Sequence, residues 1–226
     1  MTTAAVLVVG ASRGIGLEFV RQYVAAGSRV IATHRAQADG ERLRALGAQP
    51  LLLDVLDAAA AAELVRHLAG EPLGVAIVNA GIYGPRTQGL VAPEEKDFDA
   101  VMHTNVLATL RLIPALAPRL AAARGTLAVL SSRMGSMALM QSSSGWLYRA
   151  SKAAVNGVLK AASIDLGPRG IVCMALHPGW VRTDMGGTGA DIEAAESVAG
   201  MRRVLAAADA SHNGGFFSYT GERLAW

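Results

Sequence analysis

The chain predicts a doubly wound α/β fold, a single Rossmann-type parallel sheet of about seven strands with helices on both faces. Three observations carry that expectation. Short branched-apolar runs of strand length recur along the sequence, and most are apolar at nearly every position, as strands covered on both faces are. Longer stretches with the 3.6-residue spacing of helices separate them. A glycine turn, GASRGIG at 10–16, follows the first strand and opens the first helix, where right-handed βαβ units hold a nucleotide.

In chain order the predicted strands are AVLVV (5–9), RVIAT (29–33), PLLLD (50–54), VAIVN (75–79), TLAVLS (126–131), IVCMALH (171–177) and GFFSY (215–219). Helical spacing runs over 15–26, 58–68, 97–123, 148–166 and 192–208. The alanine run 58–62 resembles low complexity, but Leu64, Val65 and Leu68 continue it at helical spacing, so a helix explains it. The piece MGGTGAD (185–191) is rich in glycine and has nothing that packs strongly, and 185–209 is expected to form a small substrate lid of loop and helix.

A length of 226 residues with 52% hydrophobic content suits one domain over 1–226 with a sizeable core. The net charge of +3 comes from scattered arginines and lysines, which points to a small phosphorylated ligand and away from nucleic acid. The lone Cys173 excludes a disulfide within the chain and fits a reducing, cytoplasmic setting. The opening MTTAAVLVVGASRG lacks the charged segment and cleavage site of a signal peptide. No uninterrupted apolar run reaches the roughly 18 residues of a membrane span, so the protein is expected to be soluble, with no membrane partner.

Gly10, Gly14 and Gly16 allow a tight turn and let backbone N–H groups, Ser12, Arg13 and Ile15 approach a pyrophosphate at a helix N-terminus. The spacing is GxxxGxG, and a bare strand–helix turn with no ligand is the competing reading. At the end of the second strand, ATHRAQ carries Arg35 and no carboxylate before Asp39. An acidic residue there would read the ribose 2′-hydroxyl of NAD, whereas arginine suits the 2′-phosphate of NADP. Arg13 offers a second planar fork, so NADP(H) is the expected cofactor, with solvated surface charge as the alternative for either arginine.

Tyr148 and Lys152 stand four positions apart in WLYRASKAA, on one face of a helix. A nearby ammonium favours the phenolate and is expected to lower the tyrosine pKa towards a value useful for proton transfer. Tyrosine and lysine at this spacing also arise by chance on many helices. The ordered set of a glycine loop, NAG (79–81), HTNV (103–106), LSSRMGS (130–136), YRASK (148–152) and HPGWVRTDM (177–185) is far more specific.

On these motifs the sequence resembles the short-chain dehydrogenase/reductase family over nearly its whole length. The segments GWLYRASKAAVNG, HPGWVRTDMGG and GGFFSYTGERLAW are similar to its short C-factor-like and sniffer-type carbonyl reductases. The resemblance implies that Tyr148 protonates a substrate carbonyl, Ser132 hydrogen-bonds the same oxygen, and Lys152 holds the nicotinamide ribose while tuning Tyr148. It further implies that Asn105 supports a water-linked proton path, that Asn79, Ala80 and Gly81 line the cofactor groove, and that Asp54 and Val55 flank the adenine. Pro178, Gly179, Val181 and Thr183 would pass beside the nicotinamide.

Two features depart from much of the family. Val9 stands where a threonine is common, which removes or replaces a local hydrogen bond. The spacer from Ser132 to Tyr148 is long, which leaves Ser142, Ser143 and Ser144 as candidate substitutes for Ser132.

The expected activity is therefore NADPH-dependent reduction of a ketone, aldehyde or quinone, or the reverse oxidation. The alternative is an NADP-binding regulatory or signalling protein with little turnover. Trp146, Trp180, Met134 and Met185 are expected to line an apolar substrate pocket. The five histidines show no metal-ligand spacing, so no metal is expected; His177 is expected to make a structural hydrogen bond and Cys173 to be a core residue. Family resemblance suggests a homodimer or homotetramer packed through the helices over 97–123 and 148–166.

Overall fold

Strand β1 (Ala5–Val9) is buried at all five positions because it lies in mid-sheet. Its residues divide between two cores: Ala5, Leu7 and Val9 point into one, Val6 and Val8 into the other. That alternation is the pleat, and it explains why both faces had to be apolar. This computed structural model describes residues 4–87 and 89–226. Residues 1–3, part of the opening read above for a leader, and Gln88 lie outside them.

The remaining strands are β2 (Val30–His34), β3 (Gln49–Leu52), β4 (Leu73–Val78), β5 (Thr126–Leu130), β6 (Val172–His177) and β7 (Gly215–Ser218). They form one seven-stranded sheet of order β3-β2-β1-β4-β5-β6-β7. Every pairing is parallel. The chain winds outward from β1 to β3, then returns to the other side of β1 for β4. A topological switch point therefore opens between the C-terminal ends of β1 and β4.

Helices α1 (Gly14–Ala25), α2 (Gln37–Ala45), α3 (Ala60–Leu68), α4 (Glu95–Met102), α5 (Ala108–Ala123), α6 (Trp146–Leu166) and α7 (Ala194–Ala206) cover the two faces. Leu64 and Leu68 of α3, Leu112, Leu116 and Leu120 of α5 and Val155 and Leu159 of α6 fill one core. Phe19, Val20 and Tyr23 of α1, Leu43 of α2 and Val198, Met201 and Val204 of α7 fill the other.

Three expectations are corrected here. The short α2 is absent from the sequence reading because only Gly40 and Leu43 of its residues are buried, leaving almost no apolar stripe to detect. The helix expected over 97–123 is α4 and α5 joined by a π-helical turn, His103–Leu107. That composite is long and apolar enough to cross a membrane by length and composition, but Val101, Leu112, Ile113, Leu116 and Leu120 are buried in the protein. The helical half of the expected lid, α7, is a core element packed on α1: Arg202 lies over the Tyr23 ring at 4.5 Å, and Gln22 donates to the Ala195 carbonyl.

Candidate active site

The switch point carries a cradle that only glycines fit. Gly10 has φ +83°, and a Cβ there would stand 2.8 Å from the Ala80 backbone. A Cβ on Gly16 would stand 2.1 Å from the Gly10 carbonyl oxygen and 2.6 Å from Asn79 Nδ2. Asn79 donates to that same carbonyl at 2.6 Å, and the Asn79 and Ala80 amides both donate to the Val9 carbonyl, so the ends of β1 and β4 are tied together. The Gly10 amide donates to Thr33 Oγ1 at 2.9 Å, so β2 supplies a threonine hydroxyl beside the loop that begins after Val9. Helix α1 has no side-chain cap and no acidic residue in its first turn, leaving its N-terminal N–H groups directed at the cleft.

That cleft measures about 510 Å³, within the range of small-molecule sites. Gly10, Ser12, Arg13, Gly14 and Ile15 line it, as do Arg35, Val55, Asn79, Ala80 and Gly81. Tyr148, Lys152, Pro178 and Thr183 line its other end. Asp54 does not: its carboxylate accepts the Leu56 amide at 3.0 Å and closes a turn beside the cleft. Gly16 lies behind the cradle, and Gly179, at φ +84°, turns the chain beneath the cleft. Arg35 is exposed at the β2 end, whereas Arg13 is paired with Asp184 at 2.7 Å. The two guanidinium forks expected to act together are thus in different states, because Arg13 also meets the segment crossing the mouth of the cleft.

Tyr148 and Lys152 sit on the buried face of α6, with Ser151, Val155 and Asn156. Lys152 donates to the Leu130 carbonyl at 2.7 Å, and its Nζ lies 5.6 Å from the Tyr148 ring centroid. Burial pulls its ammonium down to about 8. Burial also pushes the Tyr148 phenol well above its ordinary value; the Ser132 hydroxyl opposes that rise and Tyr83 adds to it. The expectation that Lys152 lowers the tyrosine pKa is therefore corrected: in this state desolvation dominates.

Ser132 begins the turn after β5, is buried beside Tyr148 and accepts the Met134 amide at 3.1 Å. The turn presses on α6 so closely that a Cβ on Gly135 would stand 2.6 Å from the Lys152 carbonyl carbon. Buried Ser131 donates to Asn156 Oδ1, and Asn156 donates to the Gly135 carbonyl at 3.2 Å, so serine and tyrosine segments are locked together. Ser142 and Ser144 are exposed and hydrogen-bond each other in a turn, and Ser143 is exposed, so Ser132 is the serine that the fold places at the tyrosine.

Asn105 occupies the π-helical turn. Its amide donates to the Ile82 carbonyl and to Ser151 Oγ, both at 2.9 Å, and its Oδ1 accepts the Ile82 amide at 2.8 Å. The extra residue of a π turn aims this side chain at the strand-end loop. A Cβ on Gly81 would come within 3.2 Å of Asn105 Oδ1 and 3.5 Å of Lys152 Nζ, so the bare glycine leaves space between them.

Past β6, Val181 bridges to Ile192 and Thr183 accepts the Gly186 amide, shaping a strap over the glycine loop. Of the four residues expected to line a substrate pocket, Met185 lines the cleft. Trp180 is 53% exposed with its indole N–H donating to the Gly186 carbonyl, and Trp146 donates to the Val91 carbonyl. Met134 packs near Gly145, outside the cleft lining. None of these three lines this cleft: Trp146 and Trp180 each anchor a loop through the indole N–H, and Met134 packs beside the start of α6. His177 is corrected too: its buried Nδ1 has no hydrogen-bond partner, and burial with Arg133 nearby pulls it down to about 4. Burial pushes the Cys173 thiol up to about 12, consistent with a core residue.

Sequence reasoning passed over Tyr83, whose ring stacks on Tyr148 with centroids 4.6 Å apart and planes 22° apart. It also passed over Arg86, which lies 4.9 Å over the Tyr83 ring and donates to the Met185 carbonyl. Both stand just beyond the NAG motif, and their position there was the only signal. Trp226 was passed over as well: it stacks on Phe216, and its carbonyl accepts the Met137 and Ala138 amides beside the Ser132 turn.

A tyrosine and a lysine buried beside a glycine cradle at the switch point of a Rossmann-type sheet define an oxidoreductase. Residues 4–193 match the short chain dehydrogenase family, and the chain belongs to that family. Over 156 residues it is 40% identical to the C-signal protein of Myxococcus xanthus, covering 69% of this chain and 93% of that protein. It is similar in structure to the carbonyl reductase Sniffer of D. melanogaster, with a TM-score of 0.92, 28% identity, and 99% and 100% of the two chains covered. A carbonyl reductase from Pseudomonas aeruginosa PAO1 in complex with NADP is similar at a TM-score of 0.87 and 34% identity, with both chains covered completely.

Proposed function

We propose that this oxidoreductase uses NADPH to reduce a ketone, aldehyde or quinone to the alcohol, or catalyses the reverse, with Tyr148 as the acid or base. The observation that carries the reading is the placement of the Tyr148–Lys152 pair on the same cleft as the uncapped N-terminus of α1. The residues present suit the cofactor. The glycine loop and the uncapped start of α1 border the cleft with backbone N–H groups suited to a pyrophosphate, and Arg35, exposed at the β2 end, offers a fork for a 2′-phosphate. Lys152 would hold the nicotinamide ribose, while Pro178 and Thr183 line the same end of the cleft.

When bound, NADPH supplies the hydride. Tyr148 gives its phenolic proton to the carbonyl oxygen, and the Ser132 hydroxyl donates to that oxygen as negative charge develops on it. Lys152, charged at neutral pH and held by the Leu130 carbonyl, stabilises the phenolate that remains. The gap at Gly81, between Asn105 Oδ1 and Lys152 Nζ, suits a water that returns a proton to the pair. In the reverse direction each group takes the opposite role.

The test is a fluorescence titration with NADPH and NADH, followed by turnover on a carbonyl panel. NADPH preference that is lost in Arg35→Asp, together with turnover that is lost in Tyr148→Phe, is the expected outcome. Activity retained by Tyr148→Phe refutes the assigned acid. The likeness to C-signal favours a second reading, a cofactor-binding signalling protein with little turnover, which multiple turnover on any carbonyl overturns. We also propose a cytoplasmic protein forming a homodimer or homotetramer through α5 and α6, which expose Leu110 and Ile164. Sedimentation of the purified protein tests the assembly.

A further inference from the structure

Tyr83 stands on the loop that leaves β4, two residues after the cradle residue Gly81. Its ring covers the Tyr148 ring at 4.6 Å with planes 22° apart, a close parallel stack. The surroundings are built to admit it. Gly145, the residue before α6, has φ +65°, and a Cβ there would lie 2.2 Å from the Tyr83 hydroxyl oxygen and 2.9 Å from Cζ. The Gly145 amide also donates to the Thr87 carbonyl, which ties the Tyr83 loop to the start of α6. Arg86 lies over the same ring at 4.9 Å and donates to the Met185 carbonyl of the strap. The stack therefore reinforces the hydrogen bonds that join the β4 loop to the start of α6 and to the strap.

We propose that Tyr83 is the positioning residue of this reductase: its ring holds the Tyr148 ring in the orientation for proton transfer and keeps water off its face. The inference rests on the carbonyl reductase reading above. Tyr148 has few other restraints on that side, since Lys152 reaches it from the next turn of α6 and Ser132 from the turn after β5. The ionisable and charged groups around the phenol are thus Lys152 on its own helix, Tyr83 on the β4 loop and Arg86 behind Tyr83. Removing the Tyr83 ring admits water to a phenol whose proton is held chiefly by burial, so the Tyr148 pKa should fall. The Tyr83 ring lies outside the lining of the cofactor cleft, so cofactor binding is a clean control.

The experiment compares the full-length protein with Tyr83→Phe and Tyr83→Ala. Tyr83→Ala should lower kcat for carbonyl reduction by about tenfold to a hundredfold, the loss expected when a reacting group is misplaced by about 1 Å. Its NADPH affinity should stay within about twofold, since the free energy of that contact is untouched. With NADP and the alcohol, activity needs the phenolate, so the rising limb of the pH profile should move to lower pH in Tyr83→Ala. Tyr83→Phe keeps the stack and the burial that dominates the phenol, and should restore the rate and reverse most of the displacement of the limb. A Tyr83→Ala protein with wild-type kcat and an unmoved limb overturns the role of Tyr83 and leaves the reductase reading standing. A fall in kcat that Tyr83→Phe does not rescue also overturns it, because the hydroxyl would then be the acting group. Absence of any turnover in the wild-type protein overturns both the reading and the inference.

Discussion

Gly16→Ala provides the sharpest test of the cradle. The added Cβ would stand 2.1 Å from the Gly10 carbonyl oxygen and 2.6 Å from Asn79 Nδ2, against the roughly 3.5 Å of comfortable contact. The obstacle is backbone, so the turn itself must move by about 1 Å, and overpacking of this kind destabilises by about 1–3 kcal/mol. The Gly10 carbonyl and Asn79 are bonded to each other, so both the phosphate loop and the end of β4 shift together. A displacement of about 1 Å is worth about a hundredfold in a preorganised site, so NADPH affinity should fall by that factor, about 2.7 kcal/mol. The control is Gly157→Ala on the exposed side of α6, where an added Cβ meets nothing within 4 Å. That change should leave binding unaltered and stabilise the fold by about 0.5–1 kcal/mol through helix propensity. Fluorescence titration with NADPH and thermal unfolding read both variants. Wild-type affinity in Gly16→Ala would refute the role of the cradle.

Three further outcomes are expected. Tyr148→Phe should leave NADPH binding within about twofold and reduce turnover by about a hundredfold or more, as loss of a general acid does; steady-state kinetics decides it. Arg35→Asp should weaken NADPH more than NADH, by about 1.5–3 kcal/mol for a lost charge-assisted bond, and equal losses for the two cofactors would show Arg35 to be a surface charge. Lys152 has its folded value pulled from 10.5 to about 8 by burial, so between those values the unfolded chain holds the additional proton. Its contribution to stability is therefore least favourable below about 8 and rises with pH through that window. Urea midpoints of the wild type and Lys152→Met at about pH 7.5 and 10.5, the two ends of the rise, should converge at the higher pH. A constant gap between the two proteins would refute the burial of that charge.

The central sheet was legible in the sequence because its middle strands are short apolar runs, such as Ala5–Val9, bounded by turn residues and buried on both faces. The glycine spacing foretold the cradle, since backbone atoms within 3 Å of a missing Cβ leave no other residue type. Tyr148 and Lys152 were legible because helical spacing alone puts them on one face. Helix α2 was not legible, being nearly all polar, and neither was the π turn, whose extra residue has no compositional mark.

The sequence by itself determined the fold class and the tyrosine–lysine pair, which depend on local period and on spacing along the chain, and the family, which its ordered motifs resemble. Only the tertiary structure decided which serine meets Tyr148, because Ser132 and Ser144 are separated from it by different loops and burial alone distinguishes them. It also decided that Arg13 pairs with Asp184 across 171 positions while Arg35 stands exposed at the end of β2. The state of the phenol was settled the same way. Its helical neighbour Lys152 suggested a lowered pKa, but the packing of Tyr83, Ser132 and the sheet edge around the ring removes water, and desolvation outweighs the charge four residues away.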